Sequence, residues 1–305
     1  MRPYQNPIIP TMTDGTTSDP HVTRYGEFYY HCFYRTGGVY VAKAERLCDL
    51  AAAEAVCVYP TPTTGIDSAW FAPELHRLDG TWYIYGAPLL TEKDFSSHSM
   101  HTMSVLEGTS SDPQGAFVNR GVIKGLEGVW SIDGSILELE GERFFLWTNC
   151  RTLYLTRMAS PTELVGEHIP LARPTLPFET KEGLINEGPA VLHRNGKTYV
   201  VFSANDSRCD DYCLGVLRFL GGDVTDPANW EKHPVAVFEK TAEVFGPGHC
   251  SFTTVTEDGR EVDYVVYHAN LTSGSGWNGR SVWAQPFAWD ENDFPVFGTP
   301  QKQIH

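Results

Sequence analysis

The sequence predicts an all-β fold, a single five-bladed β-propeller spanning residues 1–305. Three observations predict it. Five times the chain shows a turn ending in glycine, followed by a run rich in aromatic and β-branched residues. The five glycines, Gly26, Gly80, Gly141, Gly196 and Gly259, lie 54, 61, 55 and 63 residues apart. A further strand can often be read after each run, so a unit of about sixty residues holds roughly four strands, the content of a propeller blade. No segment combines a 3.6-residue apolar period with convincing helix caps.

The first unit has Tyr25-Gly26 before EFYYHCFY, then GVYVAKA at 38–44. Its segment DLAAAEAV at 49–56 is the best helical candidate in the chain, and it is short. The second has Asp79-Gly80 before TWYIYGA, and the third Glu140-Gly141 before ERFFLWTN with TLYLTRMA at 152–159. The fourth has Asn195-Gly196 before KTYVVFSAN with LGVLRFL at 214–220, and the fifth Asp258-Gly259 before REVDYVVYHAN. Asn-Gly and Asp-Gly before such runs signal tight hairpins, because the turn needs positive φ at both central residues. A β-sandwich or a two-domain chain would leave the regular spacing of these hairpins unexplained.

The formal charge of -15 argues against nucleic acid and anionic membranes as partners, while a neutral sugar is not repelled. No run of eighteen apolar residues implies a membrane span. Seven cysteines without zinc-site spacing fit thiols in a reducing cytoplasm. The first residues lack the apolar run of a secretory leader, so the expected compartment is cytoplasmic, or secreted if a leader has been removed.

The chemistry is expected just upstream of the hairpins. Asp19 precedes Gly26 by seven residues, Asp133 precedes Gly141 by eight, and Glu187 precedes Gly196 by nine. The matching stretches of the second and fifth units are WFAPELH at 70–76 and FGPGHCSF at 245–252, the latter carrying His249. In a propeller the first strand of each blade lines the central channel, and all five run the same way. Their starts therefore converge at one mouth. A lone Asp-Pro is usually a turn, as Asp112-Pro113 and Asp226-Pro227 are read to be. A lone Asp-Gly is usually a hairpin tip, and a lone histidine usually structural. The shared offset singles out the three acids. Like charges at one mouth raise the pKa of one carboxyl, which is the asymmetry glycoside hydrolysis needs.

At these residues, and over essentially the whole chain, the sequence resembles glycoside hydrolase family 43. The resemblance runs through NPIIP, Asp19-Pro20, WFAPELHRLDGTWYIY, SIDGSIL, NEGPAVLHRNGKTYVVFSA, FGPGHCSF, the arginine of NGRSV and DFPVFGTP. LHRLDGTWYIYGA, SPTEL and FPVFGTP are most similar to its arabinofuranosidase-type members. The resemblance implies an inverting enzyme with Asp19 as general base, Glu187 as general acid and Asp133 as the acid that raises and positions Glu187. It implies that Arg280 contacts the sugar and that Trp70 walls the sugar pocket. The tryptophan sits one residue earlier than the family pattern, so Phe71 is the alternative wall. No cofactor is implied for the chemistry itself. His249 is similar to an axial histidine that holds a metal ion, often calcium, with waters.

The expected activity is release of terminal α-L-arabinofuranose from arabinan or arabino-oligosaccharides, an arabinose-containing partner. β-Xylosidase of the same fold is the alternative. A non-catalytic sugar-binding propeller would have little reason to retain three acids, and a phosphorylase would need a more basic mouth.

Overall fold

The hairpin turns set the architecture. In the computed structural model, which describes residues 4–12, 17–91 and 100–304, Asp79-Gly80, Glu140-Gly141, Asn195-Gly196 and Asp258-Gly259 all have both residues at positive φ. Each closes a two-residue loop between antiparallel strands. The first hairpin differs: Tyr25 pairs with Phe28, so the loop is Gly26-Glu27, with only Gly26 left-handed. A glycine at the first loop position is what a type II′ turn requires.

Each hairpin opens a blade. Blade 1 comprises His21–Tyr25, Phe28–Arg35, Gly38–Ala44 and Ala55–Pro60. Blade 2 comprises Phe71–Leu78, Thr81–Ala87, Ser104–Gly108 and Phe117–Val122. Blade 3 comprises Ile132–Leu139, Glu142–Thr148, Leu153–Ser160 and Glu163–Ala172. Blade 4 comprises Asn186–Arg194, Lys197–Ala204, Cys213–Phe219 and Trp230–Lys232. Blade 5 has three consecutive strands, Phe245–Glu257, Arg260–Asn270 and Ser281–Pro286, not the four expected. Its outer position is taken by the N-terminal segment: Ile9 bridges Val282, and the Asn6 amide donates to the Ala284 carbonyl while accepting the Ala284 N–H. Tyr4–Gln5 also pairs with Gln303–Ile304. The first and last segments thus close the ring together. The expected helical segment is a 3₁₀ turn over Leu47–Ala52, followed directly by a strand. Among the described residues no helix is long and apolar enough to cross a membrane.

The first strands of the five blades touch one another in a closed cycle around the axis. Five apolar clusters fill the wedges between neighbouring blades, one for each of the five interfaces. This alternation explains the aromatic runs, since both faces of a blade are buried and period-2 polarity is lost. Fully buried Trp82, Tyr85, Phe144, Phe145, Phe202 and Tyr267 all come from the strands that the sequence marks. Truncating one such side chain costs roughly 3–5 kcal/mol.

Candidate active site

At or just before the start of each innermost strand a residue lies in the left-handed region: Asp19 (φ 51°), Ala72 (39°), Asp133 (55°), Gly188 (55°) and His249 (46°), with Gly246 (56°) a second in blade 5. In blades 2 to 5 the ladder shifts register there, which is a β-bulge. A bulge re-aims the side chain at its apex and terminates regular pairing. In blades 1 to 4 this apex lies seven residues before the first loop residue of the hairpin. Asp19, Asp133 and His249 therefore occupy equivalent positions in their blades. Glu187 does not; it sits one residue earlier, and Gly188 takes the apex. A β-carbon on Gly188 would come within 3.0 Å of His249 Nδ1, so the glycine lets the histidine ring lie against the blade-4 backbone.

The structure brings the three acids, His249 and Arg280 to one end of the channel. His249 Nδ1 lies 3.2 Å from Asp19 Oδ1 and 3.9 Å from Asp133 Oδ2. Arg280 donates to Asp19 Oδ1 at 3.3 Å. The Gly188 N–H donates to Asp133 Oδ2 at 3.0 Å, and the Tyr212 hydroxyl donates to Glu187 Oε1 at 2.8 Å. Asp133, Glu187 and His249 are buried, while the Asp19 side chain stays 23% accessible.

These surroundings separate the carboxyls. Burial pushes Asp19 up, but His249, Arg280 and His268 outweigh it and hold its carboxyl well below the usual range. Glu187 is pushed up to about 7, by burial and then by the Asp19 charge, against the Tyr212 hydrogen bond and Arg280. Asp133 is also raised, by burial, then Glu187 and Asp19, against the Gly188 N–H. Asp133 and Glu187 are thus both raised and titrate together, while Asp19 stays ionised. The Gly188 N–H favours the charge on Asp133 against these raising effects.

Trp70 is corrected by the structure. It is buried in the core between blades 1 and 2, its indole N–H donating to the Asp67 carbonyl and carboxylate, and does not face the mouth. Phe71, next along the pleat, is half-buried and stacks on His101 with ring centres 3.9 Å apart. Two contributors escaped the sequence reading. His268 accepts the Asp19 N–H at Nδ1, 3.1 Å away; burial lowers it to about 4 despite Asp19 beside it, so it is neutral. Tyr212 stacks on His268 and bonds Glu187. His268 ends a run the sequence marks, VVYHAN, two residues before its terminal asparagine. Tyr212 lies in a loop with no local signal.

The donor chemistry of two sites can be tested against a metal ion. His249 turns Nδ1 to a carboxylate, which leaves Nε2 as the ligand nitrogen; ligating histidines are oriented in this way. Deeper in the channel, His21, Glu74 and His76 offer ligand atoms within 4.8 Å of one another. There His21 Nδ1 accepts the Leu75 N–H at 3.1 Å. The ring proton of neutral His21, lowered by burial to about 4 against the pull of Glu74, must then sit on Nε2, facing Glu74. That nitrogen is a donor and cannot ligate, so this trio does not fit a metal.

Residues 4–295 match the sequence profile described as Glycosyl hydrolases family 43. The chain is 34% identical over 283 residues to an extracellular exo-alpha-(1->5)-L-arabinofuranosidase of Streptomyces chartreusis, covering 88% of this chain and 82% of that protein. It is 32% identical over 305 residues to a protein of the same description from Streptomyces avermitilis, covering 93% of this chain but 62% of that longer protein. The crystal structure of an alpha-L-arabinofuranosidase from Lactobacillus brevis superposes with a TM-score of 0.86 at 29% identity, over 98% of this chain and 97% of that one.

Proposed function

The chain belongs to glycosyl hydrolase family 43 and is a glycoside hydrolase; from that premise we propose that it is an inverting, exo-acting α-L-arabinofuranosidase. Its substrate on this reading is arabinan or an arabino-oligosaccharide, from which it frees the terminal arabinofuranose. The observation that carries the reading is the opposed protonation of two carboxyls at one mouth, with Asp19 held ionised and Glu187 kept protonated near neutral pH. In such an enzyme Asp19 takes a proton from water as the water oxygen attacks the anomeric carbon. Glu187 gives its proton to the departing glycosidic oxygen as that bond breaks. The Tyr212 hydroxyl on Oε1 leaves Oε2 as the oxygen that carries the proton. Arg280, reaching Asp19 from the last blade, orients the base and lies where a sugar hydroxyl can be held. Phe71 is proposed as the apolar wall of the sugar pocket.

His249 would hold an axial cation such as calcium, with waters completing a shell of oxygens. The ion would supply positive charge behind the acids. A cytoplasmic, reducing compartment belongs to the same proposal, supported by seven cysteines that are all free thiols.

Assays on nitrophenyl α-L-arabinofuranoside and nitrophenyl β-D-xyloside, side by side, test the substrate. Faster hydrolysis of the arabinoside is expected, and a preference for the xyloside would replace the reading with β-xylosidase. Proton NMR of the first-formed sugar tests the stereochemistry. Release of the β-anomer from the α-arabinoside is expected, and first release of the α-anomer would overturn the inverting roles of Asp19 and Glu187.

A further inference from the structure

Away from the acids, a recess of about 480 Å³ opens on blade 3, lined by Val129, Trp130, Trp147, Asn149, Tyr154 and His168. Its walls are aromatic. Trp147 and Tyr154 stack with ring centres 4.4 Å apart, and His168 meets the Trp147 ring edge-on at 5.2 Å. Trp147 is buried, while Trp130, Tyr154 and His168 are each half-buried.

A hydrogen-bond relay fixes the polar character of the recess. The Trp147 indole N–H donates to Thr156 Oγ1 at 3.1 Å. That hydroxyl also hydrogen-bonds His168 Nδ1, 2.9 Å away, which leaves Nε2 as the second polar atom of the ring. Asn149 is set similarly. Its Oδ1 accepts the backbone N–H groups of Arg151 and Thr152, which leaves the exposed amide NH₂ to donate outward. The recess thus combines flat apolar ring faces with the Asn149 amide donor and the oriented His168 imidazole, and has no carboxylate or arginine in its lining. Sugars have complementary chemistry, with C–H faces that pack on aromatic rings and hydroxyls that accept hydrogen bonds.

The recess also connects to the catalytic mouth. Trp130 is three residues before Asp133. The intervening Ser131 N–H donates to the His101 carbonyl, and His101 stacks on Phe71. The segment that carries Trp130 is thus tied to the proposed pocket wall through buried His101. A larger hollow, about 660 Å³ at the hairpin end of blade 3, offers no such surface. Its lining includes Asp79, Glu138, Glu142, Arg143 and Arg157, whose charges are satisfied by one another.

We propose that the blade-3 recess is a second carbohydrate-binding site, taking a pentose ring of the polysaccharide while the mouth holds a chain end. The proposal rests on the arabinan reading for the identity of the sugar, and on the glycoside hydrolase assignment alone for its class. The test uses the full chain carrying Glu187→Gln, in native gels cast with soluble linear arabinan or with arabinoxylan. Retardation is expected in at least one of them. Adding Tyr154→Ala, or Tyr154→Leu should the alanine variant fold poorly by circular dichroism, should weaken that retardation about five- to tenfold, the loss of one stacked ring. In the active enzyme the same variants should raise KM on the polysaccharide by a similar factor. They should leave kcat/KM on nitrophenyl α-L-arabinofuranoside, which fills only the mouth, within about twofold. No retardation in either gel, equal retardation of parent and variant, or an equal loss on both substrates would overturn the second site. Failure of the arabinan reading shows separately, as slow hydrolysis of the nitrophenyl arabinoside by the unmutated chain.

Discussion

At the hairpin end of blade 3, Arg143 donates to Asp79 at 2.7 Å and to Glu138 at 2.6 Å across open surface. At the opposite end, Arg280 reaches Asp19 at a looser 3.3 Å, from a side chain only 13% accessible. The tighter pairs matter less. Exposed ions are already solvated, so pairing them gains little beyond what water supplies. At the mouth the charges have lost water, and each remaining neighbour decides whether a carboxyl is ionised. At the hairpin end charge stays solvated and ordinary, and at the mouth it is held out of its ordinary state.

The strongest way to break this comparison is to remove the held charges. Asp19→Asn should lower kcat/KM on every arabinoside by about 10²–10⁴-fold, since each substrate needs activated water. Glu187→Gln should cost as much on arabino-oligosaccharides but far less on the nitrophenyl arabinoside, whose leaving group needs little protonation. Steady-state kinetics on both substrates checks this; equal losses from Glu187→Gln would contradict an acid role.

A smaller effect sharpens the mouth's side of the comparison. Glu187 works protonated, so kcat/KM should fall as pH rises through about 7. Asp133→Asn removes a neighbouring negative charge and makes ionisation of Glu187 easier. The alkaline limb should then move to lower pH, by about one unit. A pH–rate profile reads the shift, and an unmoved limb would mean the two carboxyls do not titrate together.

The smallest effect is at the other end. Arg143→Ala breaks both exposed bridges, yet stability should change by about 1 kcal/mol or less, and kcat/KM should not change. Denaturant unfolding together with the arabinoside assay checks both.

How much of this was legible follows from the same geometry. The blades were legible because a two-residue turn demands particular residues, and four of the five hairpins meet that demand at both loop positions. Asp19 and Asp133 were legible because each is a left-handed residue seven positions before a hairpin loop. Counted from the glycines, the offset drifted from seven to nine. Gly26 is the first loop residue where the others are second, and Glu187 precedes its bulge. The same dipeptide reads differently elsewhere. In Asp112-Pro113 and Asp226-Pro227 the carboxylate accepts a backbone N–H two residues on, and the turn is self-contained. Trp70 was misplaced because adjacent strand residues face opposite sides of a sheet, and the sequence does not say which side meets the mouth. Tyr212 was illegible because its partner, Glu187, lies 25 residues away in the chain. The outer strand of blade 5 was missed because it precedes that blade by nearly the whole chain.

That closure has a consequence for how the protein is made. Residues 4–9 leave the ribosome well before their partners at 282–304. Asp19 waits likewise, since both His268 and Arg280 belong to the final blade. A chain released early would carry four blades with exposed edges and a base without the groups that keep it ionised. Activity is therefore withheld by connectivity alone until the fifth blade is made, and that blade acts as the seal of the ring.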